Sequence, residues 1–205
     1  MQVQHYFDYK SPYAYLAQQD ALALNDIAGV ELQLIPYTLD IPAYLGSAQV
    51  DVQGNVVSDG RNAHQWRRVR YAYMDCRREA NRRGLTVKGP RKIFNSQLAH
   101  SGFLFAQHEP EAQLKYHHNV YRKFWNRELD IEDATAITTE LAAVGLNASE
   151  FGDFHQQQGL TLLAQLASEA EAHGVFGVPS FRVAGQLFWG NERFAHVREL
   201  LGADT

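Results

Sequence analysis

Three short segments of the chain carry groups that could hold and activate a small anionic ligand. Ser11-Pro12 precedes an apolar run, which is the pattern of a helix N-terminus. Such a terminus presents free backbone N–H groups and a partial charge of about +0.5, which stabilise an anion such as a thiolate. Val178-Pro179 and Asn191-Glu192 add hydrogen-bonding groups near the end of the chain. Taken alone, each segment is more often simply a helix cap or a turn.

The cysteine content limits what thiol chemistry the chain can do by itself. The sequence contains one cysteine, Cys76, which excludes an intrachain disulfide, a redox pair and a cysteine-based zinc site. Cys76 lies on an apolar stripe shared with Trp66 and Tyr73, which is typical of an inert core residue. None of the nine histidines has the spacing of metal ligands, so we expect no metal.

The N-terminal region predicts a strand, a helix and a second strand. Residues 2–7 alternate between apolar and polar side chains, as a half-buried strand does. A helix is predicted from Pro12, with Ser11 as its N-cap and Gly29 as its end. Residues 30–36 alternate again and predict a strand. Two strands joined by one helix run parallel in a sheet.

The C-terminal region also predicts strands. Residues 180–184 and 186–189 indicate a hairpin that turns at Gly185. A helix is predicted over residues 191–201, with Asn191 as its cap.

The middle of the chain, residues 63–165, has helix signals and almost no strand signals. A glycine followed by a hydrophobic residue is a common helix stop. This pair occurs at three positions: Gly84-Leu85, Gly145-Leu146 and Gly174-Val175. We therefore expect a helical block between the two strand-bearing ends.

Charge and hydropathy narrow the choice of partners. The net charge is −4, but residues 61–92 hold 11 Lys and Arg against 2 acidic residues, so the remainder carries −13. We interpret the basic stretch as a solvated helix face, with an anion-attracting patch as the alternative. No aromatic and basic residues alternate in the manner of RNA-binding proteins, and no apolar run is long enough to span a bilayer. Without a secretory signal pattern, we expect a cytoplasmic protein that binds neither nucleic acid nor membrane.

Several segments together resemble one family. The segments are Phe7-Asp8-Tyr9-Lys10-Ser11-Pro12, Tyr73 to Leu85, Lys92 to Asn95, Gly174 to Phe181 and Leu187 to Arg193. They resemble 2-hydroxychromene-2-carboxylate isomerases and kappa-class glutathione transferases, the cysteine-free branch of the DsbA-like thioredoxin superfamily. The likeness covers nearly the whole chain except residues 39–62, which depart from the pattern.

The resemblance implies an α/β thioredoxin-like fold (βαβ followed by ββα) with an all-helical insertion. It divides the chain into a thioredoxin-like domain over residues 1–62 and 166–205 and an inserted helical domain over residues 63–165. The same resemblance implies a cis bond before Pro179, and a homodimer.

The resemblance also implies glutathione as the cofactor and a role for each candidate residue. The Ser11 hydroxyl would hold the thiolate, and the unpaired backbone N–H and C=O of Val178, beside Pro179, would bind the cysteinyl part as an added strand. Asn191 would bind the γ-glutamyl carboxylate. Glu192, where the family has an aspartate, would face the ammonium group. Asn95 matches a family asparagine at the cleft, although helix capping explains it almost as well.

The implied activity is a glutathione-dependent isomerisation of a small aromatic or unsaturated carbonyl compound. Ser11 would be the catalytic residue. A kappa-like transferase and a DsbA-like binding protein without redox activity are the alternatives. Aromatic residues could wall a substrate pocket, although such residues are more often core: Phe7, Tyr13, Tyr15 and Trp189.

Overall fold

A four-stranded mixed sheet forms the centre of the protein, whose computed structural model describes residues 1–203. The N-terminal unit is β1 (Gln2–Phe7), α1 (Pro12–Leu22) and β2 (Glu31–Pro36). The C-terminal unit is β5 (Ser180–Val183), β6 (Gln186–Trp189) and α9 (Phe194–Leu200). The strand order is β2-β1-β5-β6, with β1 and β2 parallel and the other pairs antiparallel. The predicted thioredoxin-like arrangement is confirmed.

The first helix begins as the sequence predicts. Ser11 is extended at the N-cap, Pro12 occupies the first helical position, and the Ser11 side chain accepts a hydrogen bond from the Ala14 N–H. The predicted end at Gly29 is wrong. The α-helix ends at Leu22, a short 3-10 turn follows, and Gly29 makes the turn into β2 with a positive φ of 77°.

The middle of the chain is helical, as predicted. Its helices are α3 (Ala63–Arg82), α4 (Gln97–Phe105), α5 (Pro110–Trp125), α6 (Ala134–Ala143), α7 (Phe151–Phe154) and α8 (Leu160–Ala172). The predicted glycine stops are confirmed, since the N–H of each following hydrophobic residue bonds a carbonyl one turn back. Helix α8 runs without a break through residue 166, where the resemblance set a domain boundary, and that boundary stays a prediction.

Residues 39–62, which depart from the family pattern, fold into elements that the sequence did not predict. These are α2 (Ile41–Leu45), β3 (Ala48–Val50) and β4 (Val56–Asp59), the two strands forming a separate hairpin. Every residue of β4 is exposed, so the alternation of a half-buried strand is missing. The Arg61 guanidinium donates to the Leu45 carbonyl at 3.0 Å and fixes the end of α2.

The C-terminal hairpin turns through Ala184 and Gly185, both with positive φ, as predicted at Gly185. The predicted cap on the next helix is wrong. Gly190 occupies the N-cap position with φ of 107°, and Asn191 is the first residue of a 3-10 turn, Asn191–Arg193, that precedes α9. No side-chain capping bond is made there. Asn191 is therefore not used as a cap.

The main core lies between the sheet and the helical block and is rich in aromatic rings. Phe7 is fully buried and contacts the rings of Tyr9, Phe103 and His117 edge-on. Tyr15 stacks on Trp125, another fully buried residue. These contacts join β1 and α1 to α4 and α5, so the site at the start of α1 rests on helices from the middle of the chain. In residues 1–203 no helix combines the length and apolar character that crossing a bilayer requires.

Candidate active site

At the N-terminus of α1, Ser11 contacts Val178, in the segment that precedes β5. Its Oγ lies 3.4 Å from the Val178 carbonyl oxygen and donates to it, while accepting from the Ala14 N–H at 3.3 Å. The Val178–Pro179 peptide bond is cis, as predicted. Ser11 is 5% exposed and Val178 7%. The site therefore admits a ligand atom rather than a bulky group at the hydroxyl.

The backbone of Val178 is only half available for a ligand. Its carbonyl already accepts the long bond from Ser11, which corrects the expectation that this group is unpaired. Its N–H has no partner among the described residues. A ligand that runs antiparallel to this segment could bond the free N–H and compete with Ser11 for the carbonyl.

Asn191 and Glu192 are joined to the same segment through the backbone. The Gly190 N–H donates to the Pro179 carbonyl at 2.9 Å, and the turn that contains Asn191 packs against α1. Asn191 Oδ1 is buried and has no hydrogen-bond partner in residues 1–203. Buried polar atoms are almost always paired, so an orphaned amide oxygen beside a site indicates a place for a ligand donor. The Glu192 side chain is exposed and folds back over Gly190.

Asn95 is exposed and already engaged. Its Oδ1 accepts from the Gln97 N–H at 2.9 Å and its Nδ2 donates to the Gln97 side chain at 3.0 Å, which fixes the start of α4. Its backbone N–H donates to Glu132 at 2.5 Å. These contacts at the start of α4 therefore account for the side chain and the backbone N–H of Asn95. A role for Asn95 in a binding site stays a prediction.

A buried ionic cluster behind Ser11 was missed by the sequence analysis. Asp8 is fully buried and Lys10 5% exposed, and the Lys10 Nζ lies 2.7 Å from Asp8 Oδ2. Lys10 Nζ also donates to Ser96 Oγ at 3.2 Å, and Ser96 Oγ donates to Asp8 Oδ1. The Leu39 N–H donates to Asp8 Oδ2 at 2.8 Å, and His100 Nε2 lies 3.5 Å from Asp8 Oδ1.

The cluster is held in one ionisation state by its surroundings. Burial is the largest single influence on Asp8 and opposes its ionisation. The charge of Lys10, the nearby His100 and the hydrogen bonds from Lys10 and Ser96 together outweigh it and hold the pKa of that carboxyl below its usual value. Burial lowers the pKa of His100 to about 4, so its imidazole is neutral at neutral pH. The signal in the sequence was a pair of opposite charges two residues apart, Asp8 and Lys10, directly after a strand.

The aromatic candidates divide into core and surface. Phe7 is fully buried and Tyr15 4% exposed, so both belong to the core. The Tyr13 hydroxyl donates to Asp75 Oδ2 at 3.0 Å and joins α1 to α3. Trp189, in contrast, is 49% exposed and its ring lies 4.9 Å from that of Phe176, which is 62% exposed. This exposed pair flanks the Val178 segment.

Cys76 is buried in the core, as predicted, and plays no part in the site. Burial raises the pKa of its thiol to about 12, so the reactive thiolate is not formed near neutral pH.

The fold and the site define a thioredoxin-type protein with a serine at the start of the first helix. The family model for the DSBA-like thioredoxin domain matches residues 2–202, and the chain belongs to this family.

The more similar curated proteins share one name. A 2-hydroxychromene-2-carboxylate isomerase of Pseudomonas putida is 27% identical over 98% of this chain and 95% of its own length. One of Sphingobium xenophagum is 26% identical over 97% of both chains.

Two solved structures have the same fold. A 2-hydroxychromene-2-carboxylate isomerase aligns with a TM-score of 0.75 and 21% identity, over 98% of this chain and 95% of its own. The cytosolic disulfide reductase DsbM of Pseudomonas aeruginosa, determined with GSH, aligns with a TM-score of 0.66 and 14% identity, over 98% of this chain and all of its own.

Proposed function

We propose that the protein is a glutathione-dependent isomerase of the 2-hydroxychromene-2-carboxylate isomerase type. The observation that carries the proposal is the contact between Ser11 and Val178, at a helix N-terminus of a chain that has no redox cysteine pair. Two further features support it: full-length relatives that bear this name, and a fold that also occurs in a reductase determined with GSH.

The residues present fit glutathione. The free N–H of Val178 suits the peptide carbonyl of an extended tripeptide. The orphaned Asn191 Oδ1 is an acceptor and suits an N–H donor at one end of the tripeptide, whereas the γ-glutamyl carboxylate would need the Asn191 Nδ2 or backbone N–H. The exposed carboxylate of Glu192 suits the ammonium group at that same end. A ligand bonded to the Val178 N–H would lie close to the Ser11 hydroxyl, because that hydroxyl contacts the Val178 carbonyl.

The chain's own groups would then act on a thiol. The Ser11 hydroxyl, which now donates to the Val178 carbonyl over 3.4 Å, would turn its proton towards a sulfur at the start of α1. The free N–H groups of α1 would stabilise negative charge there and lower the thiol pKa. When bound, glutathione would supply a thiolate for reversible addition to a conjugated double bond, so that rotation and elimination give the isomer and return the thiol.

The exposed pair Phe176 and Trp189 supports an aromatic substrate. Two large rings that lie half or more in solvent next to the site offer a flat apolar surface to a planar ring. A conjugated aromatic carbonyl compound resting there would bring its double bond towards Ser11, because Val178, two residues after Phe176, contacts the Ser11 hydroxyl.

The proposal is tested in two steps. Isothermal titration of the protein with glutathione should show binding, and the protein should interconvert a hydroxychromene-carboxylate and its open-chain isomer only when glutathione is present. Equal rates with and without glutathione would contradict the proposal. A stable glutathione adduct in place of the isomer would identify a transferase. Absence of glutathione binding would identify a protein that retains only the fold.

A further inference from the structure

The buried charge cluster of Asp8, Lys10 and Ser96 adjoins the candidate site at Ser11. The Asp8 carboxylate is three residues before Ser11, and the Ser11 N–H donates to the Asp8 backbone carbonyl at 3.0 Å. The segment 8–11 therefore forms a tight turn with a fully buried carboxylate at its start and the proposed sulfur position at its end.

A buried carboxylate at that position opposes the chemistry proposed for Ser11. Its negative charge would repel a thiolate at the start of α1 and offset the positive end of the helix, and burial strengthens this effect because few water molecules screen it. The hydrogen bonds from Ser96 and from the Leu39 N–H keep Asp8 ionised but add no net charge. A cation is required to cancel it.

Lys10 is the cation in contact with Asp8. Its ammonium bonds Asp8 Oδ2 at 2.7 Å and Ser96 Oγ at 3.2 Å, and its backbone N–H bonds Asp8 Oδ1 at 3.1 Å. Lys10 immediately precedes Ser11 in the sequence, so the compensating charge belongs to the same loop as the candidate site. We propose that Lys10 is a positioning residue of the site, which neutralises Asp8 so that a thiol bound at Ser11 meets the net positive field of α1. This inference rests on the proposed function.

The other titratable groups around the cluster are neutral over the working range. They are His100 on α4, Tyr121 on α5, Tyr44 on α2 and Tyr9 in the loop. Burial lowers the pKa of His100 to about 4. Partial desolvation, together with the nearby Asp8, Tyr37 and Asp40, raises the pKa of Tyr44 to about 12. Burial raises the pKa values of Tyr9 and Tyr121 well above their usual range. The charges of Asp40 and Arg68 shift the pKa of Tyr44 in opposite directions, and both side chains are exposed, so neither adds a buried charge to the cluster. Asp8 and Lys10 thus remain the buried charges of this cluster.

The test is the thiol pKa of bound glutathione, measured from the ultraviolet absorbance of the thiolate in wild type, Lys10→Met, Asp8→Asn and the double variant. Coulomb's law at an effective dielectric constant of about 20 predicts a shift of about one pH unit for one uncompensated charge roughly 12 Å from the sulfur, and a larger shift at shorter range. We expect a higher thiol pKa in Lys10→Met, a lower one in Asp8→Asn, and a value near wild type in the double variant. If the two residues had only a structural role, the variants would be less thermally stable, but the thiol pKa would not shift in opposite directions in Lys10→Met and Asp8→Asn.

The outcomes separate the inference from the proposed function. Absence of glutathione binding by the wild-type protein would overturn both. Binding with one thiol pKa in all four proteins would overturn only the role of Lys10. If Lys10→Met fails to fold, Asp8→Asn and the double variant still carry the test, because the inference requires the lower pKa in Asp8→Asn, and equal values would overturn it.

Discussion

The Ser11 hydroxyl lies 3.4 Å from the carbonyl oxygen of Val178, a residue 167 positions further along the chain. The contact joins the two parts of the thioredoxin-type sheet at the N-terminus of α1. It also gives Ser11 two tasks, since the same oxygen caps α1 through the Ala14 N–H. Under the proposed function, mutations at Ser11 should therefore affect both stability and turnover, and a control must separate the two effects.

Ser11→Ala should remove the thiolate partner while costing about 1 kcal/mol of stability through the lost cap. A hydrogen bond to a charged group is worth about 1.5–3 kcal/mol, so glutathione-dependent turnover should fall by roughly ten- to hundredfold. Asp133→Ala is the matched control, because Asp133 caps α6 through the Thr135 and Ala136 N–H groups. It should lose similar stability in urea unfolding and keep wild-type turnover. Equal turnover in both variants would return Ser11 to the role of a cap.

Trp189→Ala should weaken the binding of aromatic substrates. The ring is half exposed and lies tilted against that of Phe176, so its removal deletes about half of the proposed apolar surface. An aromatic contact of this kind is worth about 0.5–1.5 kcal/mol, and KM should rise roughly two- to tenfold with glutathione affinity unchanged. Tyr71→Ala removes an aromatic ring that is 58% exposed on α3 and should leave KM at the wild-type value. A rise in KM in both variants would point to a general surface effect.

The protein should lose stability as the pH falls below about 6.5. His5, His100 and His117 are buried, and burial lowers the pKa of His5 and His100 to about 4 and that of His117 well below its usual value. The unfolded chain binds these protons at about pH 6.5. The stabilisation is therefore complete above that pH and is lost progressively towards pH 4, by up to about 1.4 kcal/mol per pH unit for each histidine.

Urea unfolding at several pH values measures this loss. The variant His5→Phe can keep the stacked contact with Phe181 at 4.5 Å. Its free energy of unfolding should fall less steeply with decreasing pH, because one proton fewer is taken up on unfolding. An unchanged slope in that variant would show that His5 does not contribute.

Gly102→Ala should destabilise the helical block. A Cβ at this position would overlap the hydroxyl of Tyr116, which is fully buried and donates to the Ala99 carbonyl at 2.9 Å. Overpacking of this kind costs about 1–3 kcal/mol. Gly152→Ala is the control, because a Cβ there meets nothing within 4 Å, and better helix propensity should raise stability by up to about 1 kcal/mol. Chemical denaturation of both variants compares them, and equal stability would contradict the packing argument.

The parts that the sequence predicted are those with local signals. The cap at Ser11, the stops at Gly84, Gly145 and Gly174 and the turn at Gly185 each depend on a few adjacent residues, and all are confirmed. The end of α1 was wrong because the chain changes to a 3-10 turn before it reaches Gly29, and no sequence signal marks that change.

The parts that were missed depend on distant partners. Asp8 and Lys10 would be exposed by composition alone, and their burial becomes favourable because Ser96 and the Leu39 N–H complete the hydrogen bonds. The hairpin of β3 and β4 shows no alternation, since its valines at 56 and 57 are both exposed. Asn191 looked like a cap, but the positive φ of Gly190 turned the chain one residue earlier.

The pairing of Ser11 with Val178 also sets the order in which the site can come into existence. During synthesis, the helix cap and the buried cluster around Asp8 can form once residue 100 has emerged, but their partner segment is made almost eighty residues later. A polypeptide cut after α8 would retain Ser11 and lose Val178, Asn191 and two of the four sheet strands. If the protein binds glutathione as proposed, loss of that binding would therefore report proteolytic removal of about the last thirty residues.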